Sequence, residues 1–108
     1  MVVNREGAIV LMNKHAEVLA GVSAEDLVGE FVEMLVQEGK RWGHQAYRRG
    51  YLAEPSDRAM DPGLGPHLQR PMDETLVPIA VRLEPRRVGG ELYVVAHIRP
   101  REEADVPY

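Results

Sequence analysis

The 108-residue sequence predicts one α+β domain, in which helices cover one face of an antiparallel sheet. Two apolar runs within Thr75–Arg99 alternate with period two, as half-buried strands do. Two shorter apolar runs, at residues 1–4 and 8–12, flank a turn. Residues 13–53 show helical spacing instead, so strands at both ends of the chain enclose a helical middle.

The first two strands are expected to form a hairpin. Met1 to Asn4 and Ala8 to Met12 are apolar, and residues 5–7 supply a three-residue link between them. Gly7 suits a turn position with positive φ, a conformation that other residues adopt at a cost.

Capping signals predict two short helices after this hairpin. Asn13 is a good N-cap for the first helix, and Gly21 fits the position just past its C-terminus. Ser23 followed by Asp26 fits a capping box at the start of the second helix, which is expected to stop at Gly29.

Two further helical segments complete the middle of the chain. Apolar residues between Phe31 and Val36 predict a third short segment. Glu38 to Ala53 has the pattern of a longer helix, with Trp42 on one side, and Pro55 ends it.

The remainder of the chain is expected to be mostly sheet. Residues 56–65 are interpreted as a loop, His67 to Arg70 as a short strand and residues 71–74 as a turn. The long hairpin follows, with Pro85, Gly89 and Gly90 as its turn residues. Residues 1–100 are interpreted as the domain and residues 101–108 as a linker or disordered tail.

The composition excludes several classes of function. A net charge of −4 does not suit a general nucleic-acid binder, which needs a basic face. Without cysteine there is no disulfide, no thiolate zinc site and no flavin–thiol photocycle. No apolar run reaches the ~18 residues needed to span a membrane, and no signal peptide opens the sequence. We therefore expect a cytoplasmic domain that is part of a larger protein.

With the elements in this order, the sequence resembles the PAS family of sensor domains. The segment VVNREGAIVLMNKHAEVLAGVSAEDLVGE is similar to the family's opening signature, at Asn13, Ala16, Leu19, Gly21, Leu27 and Gly29. The segments VPIAVRLEP and GGELYVVAHIRP are similar to its final hairpin. Pro100 after Arg99, and residues 71–74, depart from the family's usual residues at those places.

The resemblance implies a five-stranded antiparallel sheet in the order 2-1-5-4-3, whose helices enclose a small cavity. It also implies a sensing or relaying role in a signalling protein, through dimerisation and an effector domain outside this chain. Alternation and the resemblance together predict the residues around the cavity as Leu11, Trp42, His44, Tyr47, Met60, Ile79, Val81, Leu83, Val94, Ala96 and Ile98. These residues either fill a core or bind a small apolar ligand.

A haem site is the alternative. The segment HQAYRRGYLA, which begins at His44, is similar to the connector helix of haem-binding oxygen-sensor kinases. The resemblance implies His44 as the axial iron ligand, since an imidazole facing an apolar cavity is what haem ligation needs. A structural histidine in a domain without a cofactor is the first expectation.

Other catalytic or metal sites have little support in the sequence. The spacing of His15, His67 and His97 follows no metal-site pattern. No nucleophile–base pair or phosphate-binding loop is present, so the domain is not expected to be an enzyme. It is compatible with the sensory part of a larger signalling enzyme such as a histidine kinase.

The outer face of the hairpin predicts a homodimer. Tyr93, Val95 and His97 would lie on that face, with Ala80 and Arg82 across from them. Such a face is more apolar than a solvated sheet face usually is, and a symmetric dimer is the commonest way to cover it. Protonation of His97 below about pH 6.5 would then weaken association.

Overall fold

One antiparallel sheet dominates the computed structural model, which describes residues 1–59 and 66–101. Within those residues the sheet has six strands in the order β2-β1-β6-β5-β3, and β4 also pairs with β5. The strands are β1 (Val2–Asn4), β2 (Ile9–Leu11), β3 (Arg58–Ala59), β4 (His67–Gln69), β5 (Leu76–Val88) and β6 (Glu91–Pro100).

The predicted fold class is confirmed, with one strand more than expected. The five predicted strands pair in the predicted order, since β4 lies beside β5, β5 beside β6, and β6 beside β1. The added strand is β3, whose Arg58 and Ala59 lie opposite Leu83 and Arg82. Two residues are too short to show a period, which is why this segment was predicted as loop.

The β5–β6 hairpin has a tighter turn than predicted. Val88 pairs with Glu91, so only Gly89 and Gly90 form the turn, both with positive φ. Pro85 is not a turn residue as predicted, because it lies inside β5, opposite Val94. Within the described residues β3 pairs with β5 only at residues 82–83, so Pro85 occupies an edge, where a missing N–H costs little.

The first helix matches its predicted caps. Helix α1 (Lys14–Ala20) begins after Asn13, whose Oδ1 accepts a hydrogen bond from the Ala16 N–H at 2.9 Å. It ends at Gly21, where φ is 73°.

The second helix begins differently from the prediction. Helix α2 (Ala24–Leu27) has Ser23 at its N-cap, but the predicted reciprocal capping box does not form. The Ser23 hydroxyl donates to the Asp26 carboxylate, and the Ala24 N–H donates instead to Glu17 Oε2 at 2.8 Å. The α1 carboxylate thus satisfies a free N–H in the first turn of α2, and a hydrogen bond to an ionised acceptor is a strong one. The helix also stops at Leu27, two residues before the predicted end at Gly29.

The next segments form a wall beside the sheet. Val32–Leu35 and Glu38–Lys40 are 3₁₀ turns, and helix α3 (Arg41–Ala53) follows them. The Gln69 side chain is buried and accepts a hydrogen bond from the Glu38 N–H at 2.8 Å, which ties this wall to β4.

The core lies between this helical layer and the inner face of the sheet. The predicted alternation is confirmed, because Ile79, Val81 and Leu83 are buried while Arg82 is exposed. The buried core consists of Ile9, Met12, Ala16, Ala20, Leu27, Leu35, Tyr51, Leu68, Ile79, Val81, Leu83, Val94 and Ala96.

The opposite face of the hairpin carries the residues predicted to point outward. Tyr93 and Val95 are half-buried, and His97 is exposed. His97 lies opposite Arg82, with its Nε2 3.3 Å from Glu84 Oε2, so charged groups border the two apolar side chains.

The C-terminal edge of the described region continues the sheet slightly further than predicted. The Arg101 N–H donates to the Pro78 carbonyl at 2.9 Å. The rest of the predicted tail lies outside the described residues. In the described ranges, the helices lack the length and apolar character that a bilayer crossing requires.

Replacing Val81 with Asp is expected to destabilise the fold by on the order of 3 kcal/mol, because it places a carboxylate without a partner in the core. The matched control is Val88→Asp at the exposed end of β5, which should change stability by no more than about 0.5 kcal/mol. Urea denaturation of both variants measures the difference. Equal stability of the two would show that the inner face is wrongly assigned.

Candidate functional site

A cavity of about 820 Å³ lies between the helical wall and the inner face of the sheet. Its floor is formed by β5 and β6, and α3 with the two 3₁₀ turns forms one side. Ala59 and Pro66, which flank residues 60–65, also line it.

Eight of the eleven predicted site residues line this cavity. Six come from the inner-facing positions of the hairpin and two from α3: Ile79, Val81, Leu83, Val94, Ala96, Ile98, His44 and Tyr47. Met60, also predicted, lies outside the described residues. Whether the eight residues bind a ligand stays a prediction.

Leu11 was predicted in the cavity and lies outside it. It is 56% exposed and pairs with Val2, which pairs in turn with Val95 on the outer face. The pairing of β1 with β2 shifts register between Val2 and Val3. A one-residue shift moves a side chain to the other face, so Ile9, opposite Val3, points inward instead.

Trp42 was also predicted in the cavity, and it is 85% exposed. It precedes His44 by two residues, which is a rotation of about 200° around a helix. With His44 on the cavity wall, Trp42 therefore lies on the opposite side of α3.

The prediction missed several residues of the cavity wall. Arg48, Tyr51 and Leu52 follow His44 at helical spacing, and that spacing could have identified them. Gln37, which lies between the two 3₁₀ turns, and Arg58 of β3 carry no such signal.

A buried carboxylate holds α3 against the first 3₁₀ turn. Glu33 is 7% exposed, and its Oε2 lies 2.6 Å from His44 Nδ1. Arg48 donates to both Glu33 oxygens, from Nε and Nη2, each at 3.1 Å. Such a two-point contact is the strong geometry for an arginine–carboxylate pair.

Arg48 also connects α3 to the first hairpin. Its Nη1 donates to the Glu6 carbonyl at 3.0 Å. Gly7 lies beside the guanidinium, and a Cβ at that position would overlap it. With φ at 92°, Gly7 is required both by the turn and by this close approach.

A second group of polar side chains lies where α3 meets β3. The guanidinium carbon of Arg58 is 5.2 Å from the ring centre of Tyr47 and 5.1 Å from that of Tyr51, within cation–π range. The Tyr51 hydroxyl donates to the Ser56 carbonyl at 2.6 Å, and burial raises the pKa of this phenol. Asp57 forms an ion pair with Arg82 at the surface, next to the pairing of β3 with β5.

The residues near His44 fit part of a haem site. Within residues 1–59 and 66–101, no three histidine or carboxylate side chains gather as metal ligands. A single imidazole on the cavity wall is nevertheless a haem donor, and a carboxylate at its other nitrogen is a common supporting contact.

Comparison with known families assigns the fold. The family model described as "PAS fold" matches residues 1–101. This chain belongs to the PAS family. Its members are sensory modules, so the PAS domain is not itself a catalytic unit.

Solved PAS domains have the same architecture. A PAS domain from Desulfitobacterium hafniense is 18% identical, with a TM-score of 0.79 over 94% of this chain and 90% of that chain. The PAS-B domain of Drosophila melanogaster Cycle with bound ethylene glycol is 10% identical, with a TM-score of 0.75 over 93% and 96%. The PAS domain of an HTR-like protein from Haloarcula marismortui is 16% identical, with a TM-score of 0.74 over 93% and 78%. No match was found among curated proteins.

Replacing Glu33 with Gln is expected to destabilise this PAS domain by about 3 kcal/mol, because it leaves Arg48 half-buried without its carboxylate. The control is Glu30→Gln, an exposed position three residues earlier, which should cost no more than about 0.5 kcal/mol. Thermal and urea denaturation measure both. An unchanged Glu33→Gln midpoint would mean that the cluster does not hold the wall in place.

Proposed function

We propose that this PAS domain detects a small, mainly apolar ligand in its cavity. It would relay binding through a homodimer to an effector domain elsewhere in a cytoplasmic signalling protein. The cavity is the observation that carries this proposal. Its volume of about 820 Å³ falls within the range of about 300–1,000 Å³ that is usual for small-molecule sites.

The chemistry of the wall supports an apolar ligand. The hairpin contributes only aliphatic side chains to the floor, including Val81, Val94 and Ala96. A well-packed core leaves few voids larger than a water molecule. The size of this cavity therefore favours a binding site over the alternative that its residues simply fill a core.

The hairpin provides a short route from the cavity to a partner. Successive residues of a strand point to opposite faces, so Val94 and Ala96 in the cavity alternate with Val95 and His97 on the outer face. A ligand that displaces the inner side chains would shift the backbone that also carries the outer ones. Bound ethylene glycol and glycerol in Cycle PAS-B structures show that a relative of this fold holds small molecules.

Filling the cavity is expected to weaken binding of a neutral probe, 2-naphthol. Ala96→Leu adds bulk at the floor and should weaken binding at least about tenfold, because the ligand and the new side chain compete for the same volume. Val88→Leu at the exposed end of β5 is the control and should bind like wild type. Saturation-transfer NMR measures binding, and circular dichroism checks folding. Equal binding of 2-naphthol by wild type and Ala96→Leu would contradict the assignment of this cavity as the binding site.

The alternative is a haem-based sensor, favoured by the position of His44. Its imidazole lines the cavity, and Glu33 holds its Nδ1. His44 would hold the iron, and the haem would supply a gas-binding or redox centre. Haemin titration separates the two proposals. A Soret band that saturates at one haem per chain and is lost in His44→Ala would establish haem binding. Absence of a saturable band would contradict the haem proposal and favour the apolar ligand.

The dimer is expected to form through the outer sheet face. Tyr93→Lys should raise the dimer dissociation constant at least about tenfold, because it places two added charges in the interface. Val18→Lys also introduces a lysine, at an exposed position of α1 away from the proposed interface, and is the control. The control variant should associate like wild type.

Multi-angle light scattering over a range of concentrations tests both expectations. A monomer at every concentration would contradict the dimer. A Tyr93→Lys variant that remains dimeric would place the interface elsewhere.

A further inference from the structure

The cavity wall is basic, although the domain as a whole is acidic. The ionisable Lys, Arg, His, Asp and Glu side chains among the described lining residues are all basic: Lys40, His44, Arg48, Arg58 and His67. The chain contains 17 Asp and Glu residues against 13 Lys and Arg and 4 His, so its composition alone does not predict a wall with basic side chains only. None of the described lining residues is an Asp or Glu.

These basic groups differ in whether they already contact a carboxylate of the protein. Arg48 and His44 share the buried carboxylate of Glu33, which lies behind the wall. Arg48 therefore serves to hold the wall together. Lys40 and Arg58 are exposed to solvent and line the cavity at the same time, which places them at its opening.

Arg58 is held in place by its surroundings. Its guanidinium lies against the rings of Tyr47 and Tyr51, and Tyr51 is anchored through its hydroxyl to the Ser56 carbonyl. The pairing of β3 with β5 at Leu83 and Arg82 positions the backbone of Arg58. A guanidinium whose side chain is already ordered loses less entropy when it binds an anion.

The Tyr47 ring lies near two of the basic groups of the wall, Arg58 and His44. Its centre is 5.2 Å from the Arg58 guanidinium and 6.4 Å from the centre of the His44 ring. The basic groups are thus close to one another on the α3 side, while the aliphatic floor of β5 and β6 lies across the cavity.

We propose that the ligand is an amphipathic carboxylic acid, with an aromatic or hydrocarbon body against the sheet and its carboxylate at Arg58. This inference rests on the proposed function and names the chemical class of its ligand. Arginine suits the role because its planar fork binds a carboxylate through two parallel hydrogen bonds. An apolar floor opposite a fixed cation selects against both purely apolar and strongly polar small molecules.

The test uses two probes of nearly equal shape, indole-3-acetate and its neutral amide, indole-3-acetamide. Wild type should bind the acetate at least about tenfold more tightly than the amide at low salt, and added salt should reduce that ratio. Arg58→Gln should bring the ratio near one while changing amide affinity less than about twofold. Arg58→Lys should retain part of the preference for the acetate, since it keeps the positive charge but loses the paired N–H donors of the guanidinium.

Arg49→Gln is the matched control, because it removes one exposed positive charge from α3 without touching the cavity wall. It should keep the full preference. Isothermal titration calorimetry measures the affinities, and circular dichroism with thermal melting confirms that each variant folds.

The remaining outcomes contradict the ligand class, the assignment of Arg58 or the proposed function. Equal affinities of wild type for acetate and amide would overturn the carboxylate proposal and leave an apolar-ligand sensor. A preference that survives Arg58→Gln would overturn the assignment of Arg58. Binding of 2-naphthol with no binding of either indole probe would also overturn the carboxylate proposal. Failure of all three probes would overturn the proposed function itself.

Discussion

The contact of Glu33 with Arg48 and His44 is the interaction on which the cavity depends. An open space beside an aliphatic sheet tends to collapse, because the exposed side chains gain by packing against each other. Here a wall of 3₁₀ turns and one helix is held by a buried polar cluster in addition to the apolar contacts of Leu35 and Tyr51 with the core. Burying a carboxylate is costly, and the two-point contact with Arg48 and the hydrogen bond with His44 offset that cost.

The same cluster links parts of the chain that are far apart in sequence. Through Arg48 it joins α3 to the 3₁₀ turn at Glu33 and to the first hairpin at Glu6. The close approach at Gly7 leaves no room for a side chain. The cavity wall is therefore joined to the turn that follows β1, a strand that is paired with β6.

Sequence patterns predicted the features that depend on residues close together in the chain, such as strand alternation and helix caps. Strand alternation correctly predicted Val81 and Val94 on the buried face, and α1 begins after Asn13 and ends at Gly21 as expected. Leu11 was placed on the wrong face because a register shift between paired strands leaves no trace in either strand alone. The cluster of Glu33, His44 and Arg48 escaped prediction for a related reason. Glu33 lies in the first 3₁₀ turn and the other two in α3, and spacing along the sequence cannot show contacts between separate elements.

Trp42 has a practical consequence for optical work on this domain. It is the single tryptophan of the chain, and it projects into solvent from the side of α3 that faces away from the cavity. Its emission is therefore insensitive to direct contact with a molecule inside the cavity. A protein that docks against α3 would shield the indole from water and shift its emission to shorter wavelength. Intrinsic fluorescence thus distinguishes an event on the outer surface of the helix from occupancy of the interior, without an added label.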